Sequence, residues 1–187
     1  MQEQRIVCKG ASMQEALGEV EHLGGLEHKQ RNCLMLLTEE MFSMMNTILF
    51  DGDMTFEIVR QGSDYALGLR SDTLVTPKAR KEFLSMSSDG KNIAYKGIKG
   101  KMLALIEAMA NAEAIAPGLA CGEYGMAPDP SGYSQMWRMS LYLGQAPEPE
   151  REAAWDGMEK SIIVNFADDV MIGVRENRVE MIVKKKF

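Results

Sequence analysis

The residues best placed to do chemistry in this chain are Lys96-Gly97-Ile98-Lys99-Gly100-Lys101, a glycine-spaced basic turn that runs straight into the apolar-periodic stretch Met102-Leu103-Ala104-Leu105-Ile106. At a helix start the first backbone N–H groups have no carbonyl partner, and the helix dipole adds positive potential. Lysine ammonium groups on the same turn complete an anion site, with phosphate as its natural ligand. Gly97, Lys99, Gly100 and Lys101 are therefore candidate phosphate contacts, and Lys91 in the polar loop before them supplies another cation. Two glycines three apart also make an ordinary helix-opening turn, so the pattern points to binding without naming a reaction.

Other reactive arrangements are thinner. His22 and His28 bracket the Gly24-Gly25 turn but lack a third ligand at metal-site spacing, so loop residues are expected there. Cys8, Cys33 and Cys121 are odd in number and widely scattered, which suggests neither a disulfide framework nor zinc and fits a reducing cytoplasm. The adjacent Asp168 and Asp169 read as an exposed turn at a helix end rather than as a general acid and base. No Gly-x-Ser-x-Gly nucleophile elbow occurs.

The bulk composition narrows the field further. The 187 residues are 45% hydrophobic and 26% charged, ordinary for a well-cored globular chain. A formal charge of -6 argues against a nucleic-acid surface, the closing Lys184-Lys185-Lys186 being read as a solubilised terminal strand. No signal-peptide segment and no run of about 18 apolar residues is seen, so neither export nor a membrane partner is expected. Sixteen methionines fill core gaps or line a plastic partner groove.

The elements that must position these residues follow from periodicity. Ile6-Val7-Cys8 is a short strand, and Ser12 with Glu15 three residues on forms a capping box that opens a helix over 13–22, stopped by Gly24-Gly25. Leu34, Leu37, Met41, Met44, Met45 and Ile48 recur at three- and four-residue steps, which predicts a helix of about six turns over 27–50. Strands over 54–60 and 65–70 flank Gly62-Ser63-Asp64 as an antiparallel hairpin. Pro77 opens a short helix to about 86, and a further helix follows the basic turn to about 112. Five of the six prolines fall within 116–149, which predicts an irregular insertion around a strand at 135–143. A helix over 150–167 and a closing hairpin of 170–175 and 178–184 complete a single α+β domain over 1–187.

In order, these elements resemble the Bergerat-fold, or GHKL, ATPase superfamily, in particular its small anti-sigma factor kinase-like branch. The resemblance covers roughly 5–113 and 160–187. It implies a two-layer sandwich in which a mixed, mostly antiparallel sheet is backed by helices, as in the histidine-kinase ATPase domain. The family's first motif sets a water-orienting glutamate and a magnesium-holding asparagine four apart on the long helix. Here Glu40 takes the glutamate position and Met44 stands where the asparagine belongs. A thioether is a poor ligand for magnesium, which demands hard oxygen donors. Asn46 lies about 120° around the helix from Glu40, whereas Ser43 and Thr47 lie within about 60° and are the residues that could stand in. The second motif matches at Asp72, the adenine contact, without the glycine expected two residues later, and the third is the Gly97 to Lys101 turn, with Met102 in place of a further glycine.

The resemblance therefore implies a degenerate regulatory module of a bacterial cytoplasm. ATP or ADP would be bound with little or no hydrolysis and magnesium is doubtful. Asp72 would read the base, Lys91, Gly97, Lys99, Gly100 and Lys101 the phosphates, and Glu40 would be vestigial. A regulatory protein partner is implied and a homodimer allowed. Two other readings stand beside this one: a protein-interaction domain with a filled cleft that binds no nucleotide, and an active anti-sigma-type serine kinase.

Overall fold

The computed structural model describes residues 3–49, 52–72, 126–127, 136–145, 147–148, 161–175 and 178–187. The chain divides into two compact units, one of Met1–Thr73, Ile162–Val170 and Glu180–Phe187, the other of Leu74–Ser161 and Met171–Val179.

In the first unit, strand β1 (Glu3–Cys8) leads to helix α1 (Met13–His22), helix α2 (His28–Leu49) and the hairpin β2 (Met54–Gln61) and β3 (Asp64–Ser71). The late part of the chain returns a short helix α4 (Ile162–Phe166) and most of strand β7 (Arg178–Lys186) to the same unit. Its strands run in the order β1-β2-β3-β7, and every pairing is antiparallel. Helices α1, α2 and α4 pack together, and α1 and α2 lie against strands of this sheet. The fold is α+β, a two-layer sandwich as expected.

Local chemistry explains the boundaries. Ser12 caps α1: its hydroxyl accepts the Glu15 N–H at 3.3 Å and the Glu15 carboxylate accepts the Ser12 N–H at 2.8 Å. Gly25 sits at φ 74°, the left-handed turn that lets the chain reverse into α2. Gly62, at φ 66°, opens the tight β2–β3 turn where a side chain would be strained. The buried Thr38 hydroxyl donates to the Leu34 carbonyl at 2.8 Å, so it enters the core without an unsatisfied proton.

The core lies between the helices and one sheet face. Register pairs Phe56 with Leu69 and Ile58 with Leu67, then Leu69 with Met181 and Leu67 with Val183, and all six are essentially inaccessible. From the helices come Ala16 and Val20 of α1 and Leu34, Leu37, Met41, Phe42 and Met45 of α2. The Phe42 and Phe56 rings stand 5.9 Å apart and fix the middle of α2 over β2. Each of the larger side chains contributes about 1.5–3 kcal/mol by leaving water.

The second unit contributes the short strands β4 (Met126–Ala127) and β5 (Met136–Arg138), helix α3 (Met139–Gln145) and most of strand β6 (Asp169–Arg175). β5 pairs antiparallel with β4 on one side and β6 on the other. Trp137 is fully buried there, tilted against Tyr142 with ring centroids 5.8 Å apart.

Two expectations need correction. The strand expected over 135–143 exists only as Met136–Arg138, after which the chain is helical to Gln145. Met139 and Tyr142, three apart, are the buried pair of that helix, a spacing that shares one face of a helix and would fall on opposite faces of a strand. In the stretch expected as a helix over 150–167, the described helix is Ile162–Phe166; Ser161 lies outside it and 150–160 lie outside the described residues. The helices expected over 77–86 and up to 112, and most of the 116–149 insertion, also lie outside them.

Candidate functional site

The two predicted site residues that the structure describes, Glu40 and Asp72, belong to different layers. Glu40 is half-buried at the margin of the α2 stripe and makes no hydrogen bond or ion pair among the described residues. One turn on, Met44 is 2% exposed and belongs to the same core as Met41 and Met45. The residue that the resemblance sets at the metal-ligand position is thus a thioether packed into the interior, which offers no hard oxygen donor. Ser43 and Asn46 are exposed, and the Thr47 side chain lies outside the described residues. Among the described residues, no cluster of three His, Cys, Asp or Glu side chains is arranged to hold a metal ion.

Asp72 follows the last residue of β3. Its backbone N–H donates to the Asp53 carbonyl at 2.8 Å, which closes the open end of the hairpin. Its Oδ2 accepts the Thr55 hydroxyl at 2.6 Å, and Arg70 Nη2 stands 3.6 Å from Oδ1. Thr55 and Arg70 face each other across β2 and β3, one step out of phase with the buried Phe56 and Leu69. Side chains alternate along a strand, so both project from the face opposite the helices. The Asp72 carboxylate therefore joins Thr55 and Arg70 on the outer face, while the helix-facing position at the end of β3 is the fully buried Ser71. With its side chain 37% exposed, Asp72 keeps one oxygen accessible beside a cation.

Lys91, Gly97, Lys99, Gly100 and Lys101 lie outside the described residues. The described concavity, about 530 Å³, is at the opposite end of the hairpin, with Val59 and Ala66 as its floor and Asp64, Asp168, Lys184 and Lys186 among its walls. Neither Glu40 nor Asp72 lines it. Its charges are largely paired: Lys185 Nζ reaches Asp168 at 3.0 Å and Lys186 Nζ reaches Asp64 at 3.3 Å. Asp168 is the exposed turn residue expected, also accepting the Lys186 N–H at 2.6 Å, whereas Asp169 begins β6 and is buried.

The remaining reactive side chains are held locally. The His22 ring meets the Gly18 carbonyl at 2.6 Å and His28 meets the Asn32 amide at 3.2 Å. Burial raises both the Cys8 and Cys33 thiols above their ordinary value, with Glu19 and Glu15 adding to the effect at Cys8. At Cys33 Lys185 opposes the rise and Asp168 supports it. Raised thiols are poor nucleophiles at neutral pH.

Two residues emerge that periodicity alone did not single out. Thr55 organises Asp72, and hairpin register would have found it, since it lies opposite Arg70. Arg60 donates from Nη1 to the Gly24 carbonyl at 2.7 Å and from Nε to the Gly62 carbonyl at 3.2 Å, with its guanidinium 5.3 Å from the Tyr65 ring centroid. It ties the α1–α2 turn to the hairpin turn, and a Cβ on Gly25 would come within 3.3 Å of it. Compared with known proteins, the chain matches no family model, and no curated protein is significantly similar to it.

Proposed function

We propose that this chain is a regulatory module of degenerate GHKL type that works by binding a protein partner and not by magnesium-dependent nucleotide turnover. The observation that carries this reading is Met44, 2% exposed within the α2 core at the position where the resembled family holds its metal. A cleft whose cation ligand has become core has lost the means to polarise a γ-phosphate. A scaffold can survive such loss, because function resides in the site. A cytoplasmic setting belongs to the same proposal, supported by the free thiols of Cys8 and Cys33.

One observation favours a second reading, nucleotide binding without magnesium: Asp72 retains a half-exposed carboxylate at the end of β3, as an adenine contact requires. A thermal-shift titration with ADP and ATP, with and without magnesium, separates the two, since a ligand of the native state raises its midpoint. An unchanged midpoint at millimolar nucleotide is the result expected of a filled cleft. A rise that ignores magnesium and is lost in Asp72→Asn replaces the first reading with the second, and a rise that requires magnesium overturns both.

A further inference from the structure

We draw no further inference here: the strongest candidate, the concavity of about 530 Å³ at the turn end of the β2–β3 hairpin, carries nothing, because Lys185 and Lys186 on its walls are paired with Asp168 and Asp64 and nothing in the structure shows what covers its apolar floor of Val59 and Ala66.

Discussion

The two faces of the β2–β3 hairpin are built from the same sixteen residues of strand, yet they carry opposite chemistry. The face toward the helices is Met54, Phe56, Ile58, Leu67 and Leu69 under Phe42, Met41 and Met44, all closed to solvent. The other face holds Thr55, Glu57, Arg70 and the Asp72 carboxylate, joined by hydrogen bonds and ion pairs such as that between Arg5 and Glu57. The helix-facing side is apolar over these residues and ends in the buried Ser71, whereas the strand-end carboxylate of Asp72 joins Thr55 and Arg70 on the other. The difference teaches that a residue of the right type at the right sequence offset is not yet a site, because one step along a strand changes its face.

The contrast can be broken from either side. Phe56→Ala, at the centre of the closed face, should cost about 3–5 kcal/mol in denaturant unfolding, since the lost ring leaves a cavity beside Phe42. A small effect would mean that the helix layer is loosely seated. Arg60→Ala should cost about 1–3 kcal/mol, because one guanidinium satisfies two turn carbonyls and covers Tyr65. Thr55→Val should cost only about 1 kcal/mol on the polar face, and Asp72→Asn a similar amount. If either exceeded Phe56→Ala, the polar face would be the structural one.

The smallest effect is at the α1 cap. The Glu15 carboxylate accepts the Ser12 backbone N–H and hydroxyl, which holds its pKa below the ordinary 4.5. A lowered folded-state value contributes stability above the unfolded value and loses it as pH falls through the folded one. Unfolding monitored between neutral and acid pH should therefore show a cap contribution that disappears below about pH 4.5. Ser12→Ala should remove about 1 kcal/mol at neutral pH and flatten that dependence.

The first unit was largely legible in the sequence. The capping box at Ser12 and Glu15 placed α1 at Met13–His22, and the Leu34 to Met45 stripe placed α2 within a residue or two of His28–Leu49. Strong periodicity over many turns and turn glycines with positive φ are local signals, and they act before any tertiary contact. The 135–143 stretch was misjudged because a short run of large side chains can be read with either period, and pairing with β4 and β6 holds only Met136–Arg138 as strand. The candidate site was less legible still. Met44 departs from the resembled motif by its type, but no sequence pattern says that its neighbours seal it or that Asp72 turns toward Thr55. Those are consequences of which face each residue occupies once the strands are paired.

The central claim is that the Met44 position is closed core and not the floor of a cation site, and a pair of substitutions there tests it directly. Urea unfolding of Met44→Leu should lie within about 1.5 kcal/mol of wild type, as a volume-conserving apolar exchange does. Met44→Asn should lose about 3 kcal/mol or more, because it forfeits the buried thioether and leaves an amide without partners. An asparagine variant as stable as wild type, with a melting temperature that rises on adding magnesium and ATP, would contradict the account.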